Sequence, residues 1–120
     1  MRTMKLGGTT GTCQIMLGET IDNLRGYCGK AGKVVAITDE NVRRCHGELL
    51  KGLDVVEIGL GEANKTLATV ERVYEQLLEL EVERSSFIVG VGGGIVCDVA
   101  GFAASTYLRG VPFGFVPTTL

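Results

Sequence analysis

The 120 residues predict an α/β fold, a parallel sheet covered by helices on both faces, and three observations carry that expectation. Apolar and β-branched runs recur at 33–38, 54–58, 87–91 and 112–116. Segments with apolar residues at helical spacing lie between them. Each of the first three runs stops at glycine, or at acidic and amide residues, before the next segment begins. Strands alternating with helices every ~20–30 residues indicate βαβ units with right-handed crossovers.

Taken in order, 13–17 is a short strand-like run ending at Gly18. Ile21, Leu24, Tyr27 and Cys28 follow at helical spacing, and Gly29 and Gly32 close that segment. The run 33–38 halts at Asp39-Glu40-Asn41, residues suited to capping a helix. Val42, Cys45 and Leu49 continue a helical face as far as Gly52. A strand at 54–58 leads into the loop 59–65. Residues 66–80 predict the clearest helix, with Leu67, Val70, Tyr74, Leu77 and Leu78 on one side and Glu71, Arg72, Glu75 and Glu79 on the other. The run 87–91 is continuously apolar, as in a strand buried on both faces. It enters Gly92-Gly93-Gly94, the small-residue segment 95–108 reads as a helix, and 112–116 is the last strand.

Composition narrows the classes. The length suits one domain with a single core, and 45% hydrophobic against 22% charged residues is globular usage. Net charge is −2, with the signs interspersed, which predicts neither a nucleic-acid nor a membrane-surface partner. Cys13, Cys28, Cys45 and Cys97 form no CxxC pair, and His46 has no second ligand at metal spacing, so no zinc site is expected from this chain. Met1 to Gly8 lacks the apolar core of a signal peptide. Reduced, structural thiols and a cytoplasmic location are therefore expected.

In open parallel sheets ligands sit outside the carboxyl ends of the strands. Four loops fall there: 39–41, 61–65, 92–98 and 118–119. Neither standard phosphate fingerprint fits. A GxGxxG motif begun at Gly92 meets Cys97 where its last glycine belongs. The P-loop pattern begun at Gly59 meets Asn64 in place of its second glycine. The fold is thus expected to be Rossmann-like without the usual fingerprint. Gly92-Gly93-Gly94-Ile95-Val96-Cys97-Asp98 nevertheless follows a buried strand and opens a helix, so free amides and the helix dipole converge where a diphosphate could bind. The alternative is a tight turn needed only for packing. Asp98, one turn into the helix, would repel phosphate and suits neighbouring hydroxyl or amide groups; its alternative role is to complement the helix start.

Residues 92–120 resemble the GGGxxxD-to-PTT block of 3-dehydroquinate synthases, including the spacing from Asp98 to Arg109 and on to Thr118-Thr119. Gly61-Glu62-Ala63-Asn64-Lys65 is similar to that family's G-E-x-x-K loop, and Asp39-Glu40-Asn41 resembles its D-x-N loop. Cys97 departs from the glycine usual there. The resemblance implies that the chain is an N-terminal NAD-binding domain spanning 1–120. NAD contacts would be Asp39, Asn41, Glu62, Lys65, Gly93, Gly94, Asp98, Thr118 and Thr119. Arg109 resembles an arginine that reaches the substrate of a neighbouring subunit in a homodimer, although a helix-end cation is its simpler reading. For Glu62 and Lys65 the simpler reading is a solvated charged loop.

The implied reaction is NAD- and zinc- or cobalt-dependent. It converts a sugar phosphate, 3-deoxy-D-arabino-heptulosonate 7-phosphate, into 3-dehydroquinate with loss of phosphate. Metal-ligating and catalytic residues are expected beyond Leu120, so the chain alone is expected to be inactive. Rival readings are a related sugar-phosphate cyclase making an aminocyclitol precursor, a metal-dependent alcohol or glycerol dehydrogenase, and a non-catalytic nucleotide-binding or association module.

Overall fold

A computed structural model describes residues 1–119; Leu120, the last residue of the resembling block, lies outside them. The sequence opens with an antiparallel hairpin of β1 (Arg2–Gly8) and β2 (Gly11–Leu17), joined through Thr9 and Thr10. A short helical passage follows, a 3-10 turn at Ile21–Asn23 and α1 (Leu24–Tyr27). Then come β3 (Val34–Asp39), α2 (Glu40–His46), β4 (Asp54–Ile58), α3 (Leu67–Glu79), β5 (Phe87–Gly92), α4 (Gly94–Thr106) and β6 (Phe113–Pro117).

The four later strands form one parallel sheet in the order β4-β3-β5-β6. The chain steps outward from β3 to β4, returns past β3 to β5, and continues outward to β6. Winding therefore reverses between β3 and β5, which makes their carboxyl ends the switch point at which open α/β sheets hold ligands. The period-2 alternation of the central strands divides the core. Val35, Ile37 and Ile88 face α3 and α4, packing with Val73, Leu77, Val99 and Ala103. Val34, Ala36, Val89 and Val91 face the other way, against Val42 of α2, Leu50 and Cys28. Helices thus cover both faces, as the strand runs predict.

Two expectations need correction. On α3 the buried stripe is Thr69, Val70, Val73 and Leu77, while Leu67 and Leu78 are exposed. Their spacing is helical, but the stripe that meets the sheet is centred on Val73. The helix expected over 95–108 ends at Thr106, and Leu108, Arg109 and Gly110 adopt positive φ of 50°, 68° and 115°. The Val111 amide then donates to the Ala104 carbonyl at 2.8 Å, turning the chain back toward β6. The run 13–17 is a strand, as expected, and it pairs antiparallel with 2–8 outside the parallel sheet. No residue of either hairpin strand is buried.

Candidate functional site

Each loop singled out in the sequence lies at the carboxyl edge of the sheet, and each is shaped by a local device. At the end of β3, the Asp39 carboxylate accepts from the Val42 amide at 2.8 Å and so caps α2. One Asp39 oxygen is thereby committed to the fold. Asn41 stands on the first turn of α2, where its side-chain oxygen accepts from Arg44 at 2.9 Å. After β4, the Asn64 side chain donates to the Leu60 carbonyl at 2.5 Å and lies across Gly59, where a Cβ would come within 2.6 Å of it. That bond rolls 59–65 into a compact loop and delivers Lys65 toward α4.

The glycine turn after β5 is three residues with three different reasons. A Cβ on Gly92 would sit 2.8 Å from the Val96 side chain, so this glycine is required by packing. A Cβ on Gly93 would meet the Thr119 hydroxyl at 3.0 Å, so this position is shared with the loop after β6. A Cβ on Gly94 would touch nothing within 4 Å, and the residue is exposed. Gly93 is the N-cap of α4, its carbonyl accepting from the Cys97 amide at 3.0 Å, but it has no side chain with which to cap. The amides of Gly94, Ile95 and Val96 therefore lack an intrahelical acceptor. Asp39 and Thr66 provide such caps for α2 and α3. The Thr118 amide donates to the Gly92 carbonyl at 2.9 Å, extending the β5–β6 pairing and seating Thr118 and Thr119 beside the turn.

Asp98 does not stand alone. Its carboxylate meets Lys65 Nζ at 2.6 Å, and the same ammonium lies 3.8 Å from Glu62. The hydrogen bond that Lys65 donates to Asp98, then the charges of Asp98 and Glu62, push the Lys65 pKa up from its ordinary value. Lys65 is therefore cationic throughout the neutral range, and the anionic charge beside the glycine turn is largely compensated. Between α3 and α4, behind this ion pair, a cleft of ≈ 300 Å³ runs between Leu67 and Val70 on one side and Val99 and Phe102 on the other. Burial raises the Cys97 thiol, which keeps it protonated, and its Sγ lies 3.8 Å from the Gly92 carbonyl.

The structure thus gathers Asp39, Glu62, Lys65, Gly93, Gly94, Asp98, Thr118 and Thr119 along one edge. Asn41 is on that edge with its amide turned to Arg44. Arg109 is not there. It follows the far end of α4, and a helix of 13 residues carries it about 20 Å from the turn at ~1.5 Å per residue. Two contributors escaped the sequence reading. Thr38 is fully buried, and its hydroxyl donates to the Val91 carbonyl at 2.7 Å, bracing β3 against β5 at the switch point. Asn64 shapes the charged loop. A polar residue inside an apolar strand was the available signal for Thr38; none existed for Asn64.

Fold and site define a doubly wound α/β domain whose carboxyl edge carries a glycine-rich helix start flanked by an acid–lysine pair. Residues 55–120 match the family described as 3-dehydroquinate synthase N-terminal, and the chain belongs to that family. It is 58% identical over 110 residues to the 3-dehydroquinate synthase of Pelotomaculum thermopropionicum, covering 85% of this chain and 30% of that protein. It is 46% identical over 95 residues to that of Clostridium kluyveri, covering 72% and 26% respectively. The chain therefore spans about a third or less of these relatives. A crystal structure of 2-deoxy-scyllo-inosose synthase complexed with carbaglucose-6-phosphate, NAD+ and Co2+ superposes with a TM-score of 0.82 at 27% identity, over 98% of this chain and 35% of that one.

Proposed function

We propose that this chain is the NAD-binding part of a 3-dehydroquinate synthase, the enzyme that turns 3-deoxy-D-arabino-heptulosonate 7-phosphate into 3-dehydroquinate with loss of phosphate in the shikimate pathway. The observation that carries the cofactor assignment is Gly94, where a Cβ would meet nothing within 4 Å among the described residues, at a helix start that no side chain caps. A diphosphate can reach those amides and complete their hydrogen bonds. When bound, NAD supplies a hydride acceptor that is restored within the same turnover.

The chain's own groups do the positioning. Thr118 and Thr119 offer hydroxyls beside Gly93, and the free Asp39 oxygen and Glu62 can accept from ribose hydroxyls. Asp98, held by Lys65, suits a hydroxyl or amide donor at the mouth of the cleft, while Leu67, Val70, Val99 and Phe102 offer an apolar wall to a flat ring. No group of three potential metal ligands occurs among the described residues, so zinc or cobalt does not fit here, and metal chemistry is assigned to the additional length of the relatives. Arg109, remote from its own glycine turn, is assigned to the sugar-phosphate site of a second copy in a homodimer. The proposed location is cytoplasmic; among the described residues no helix is long and apolar enough to cross a membrane.

Calorimetric titration of the chain with NAD tests the cofactor assignment, and failure to bind at millimolar concentration counts against it. A second reading, a cyclase making an aminocyclitol precursor, is favoured by the match to 2-deoxy-scyllo-inosose synthase. Offering the whole protein both sugar phosphates and identifying the product separates the two.

A further inference from the structure

We propose that Tyr107 is a positioning residue for the sugar phosphate: its buried hydroxyl, tied to the Val82 carbonyl, holds the left-handed turn Leu108-Arg109-Gly110 that presents the Arg109 guanidinium. This rests on the assignment of Arg109 to the sugar-phosphate site and names what fixes that arginine in place.

The first observation is that the end of α4 does not use Arg109. The Phe102 carbonyl accepts from the Thr106 hydroxyl at 2.7 Å, the Ala103 carbonyl from the Tyr107 amide, and the Ala104 carbonyl from the Val111 amide at 2.8 Å. A helix-end cation would bond such carbonyls. Arg109 is exposed, and among the described residues its guanidinium forms no hydrogen bond or ion pair. The chain's own groups close the helix and leave this cation for another partner.

The second observation is the backbone that carries it. Leu108 and Arg109 both bear side chains at positive φ, 50° and 68°, directly before Gly110 at 115°. Left-handed residues other than glycine are costly and ordinarily occur singly, and they persist where surrounding contacts impose them. Leu108 is 42% exposed, so burial of its side chain is not what offsets the cost. The contacts that impose the turn converge on Tyr107. Its carbonyl accepts from the Gly110 amide at 2.8 Å, closing the turn. Its ring is buried and stacks on Tyr74, with centroids 6.2 Å apart. Its hydroxyl donates to the Val82 carbonyl at 3.0 Å, and burial pushes its pKa up, so it stays a neutral donor. Val82 is itself buried, and its amide donates to the Leu77 carbonyl at 3.0 Å just past α3. Tyr107 thus anchors the end of α4 to the end of α3, and the fixed, exposed product of that anchor is Arg109.

Steady-state kinetics of the whole protein test the role. Tyr107→Phe keeps the ring and removes only the hydroxyl. It should raise KM for the sugar phosphate about fivefold, the factor one neutral hydrogen bond contributes. The losses should fall on KM and not on kcat, as for binding lost equally in ground and transition states. Arg109→Ala should raise KM about tenfold or more, as loss of a charge-assisted contact does. Adding Tyr107→Phe to Arg109→Ala should raise it no further, because the two act through one contact. Leu108→Val tests the turn independently, since a β-branched residue resists positive φ. It should raise KM, and Leu108→Asn, whose side chain tolerates that backbone, should raise it less. An unchanged KM in folded Tyr107→Phe, or full additivity in the double variant, overturns the positioning role alone. If Tyr107→Phe does not fold, equal KM values for the two Leu108 variants overturn it. An unchanged KM in Arg109→Ala overturns the Arg109 assignment as well.

Discussion

Lys65 and Asp98 belong to different connections of the sheet, yet their side chains meet at 2.6 Å and tie the loop after β4 to the helix after β5. Both are well exposed, so the pair does little for global stability once solvent screening is counted. Its consequence is local. It holds a carboxylate beside the glycine turn, the proposed diphosphate site, without leaving that charge uncompensated. Asp98→Asn should therefore leave the melting temperature nearly unchanged while weakening NAD about tenfold, the scale of one lost charge-assisted hydrogen bond. Diphosphate should weaken less than NAD, since Asp98 is assigned to the nucleoside side. Equal losses for both ligands in calorimetry would reduce Asp98 to a structural part of the turn.

The same pair fixes an alkaline signature. Asp98 raises the folded pKa of Lys65 above its ordinary 10.5, so the contribution to stability is complete below that pH. It is lost as pH rises through the folded value. Following the Lys65 side chain by NMR, Asp98→Asn should move its titration midpoint downward. No movement would show that the two groups do not interact in solution.

Glu19 gives the corresponding acid signature near the hairpin. Hydrogen bonds from the Tyr27 hydroxyl, the Asn23 amide and the Thr20 backbone lower its pKa from 4.5 to about 2. A depressed carboxylate stabilises the folded state above its unfolded value and loses that contribution as pH falls from 4.5 toward 2. Glu19→Gln should flatten the pH dependence of unfolding within that window and leave the shape of the curve above pH 5 unchanged. Chemical denaturation across the acid range reads this out.

The glycine triplet separates packing from binding by position. Gly92→Ala places a methyl 2.8 Å from Val96 and should cost about 1–3 kcal/mol, as overpacking does. Adding Val96→Ala should recover part of that loss. Gly94→Ala meets nothing and should leave stability within about 0.5 kcal/mol, or raise it slightly through helix propensity. Its NAD affinity should nevertheless fall, because the methyl occupies the ligand's approach. Denaturation and calorimetry on the two variants should therefore give opposite patterns.

Thr38→Val removes a buried hydroxyl donor from the Val91 carbonyl without changing side-chain shape. The expected loss is about 1 kcal/mol, the net value of a buried neutral hydrogen bond. A larger effect on NAD affinity than on stability would show that the brace sets the geometry of the turn after β5.

The four parallel strands are legible in the sequence because their β-branched and apolar runs answer to burial on both faces, and the capping residues Asp39 and Thr66 announce α2 and α3 locally. The hairpin is less legible. Met4 and Leu6 alternate with Thr3 and Lys5, but Gly7 and Gly8 interrupt the run, and a strand paired only locally has no long apolar signature. The outward Leu67 and Leu78 show the limit of periodicity, which finds a helix but not the angle at which it meets a sheet. At the site, residue types and spacing located the loops. The contacts of Lys65 with Asp98 and of Gly93 with Thr119 are tertiary, and no spacing rule contains them.

Amide-resolved NMR titration of the ¹⁵N-labelled chain with NAD is the decisive observation on the glycine turn as a dinucleotide site. Saturable shifts concentrated at Gly93, Gly94, Ile95 and Thr119, with smaller ones at Lys65 and Asp98, are the predicted result. Saturable binding that leaves those amides unmoved, or no saturable shift at millimolar NAD, would contradict it.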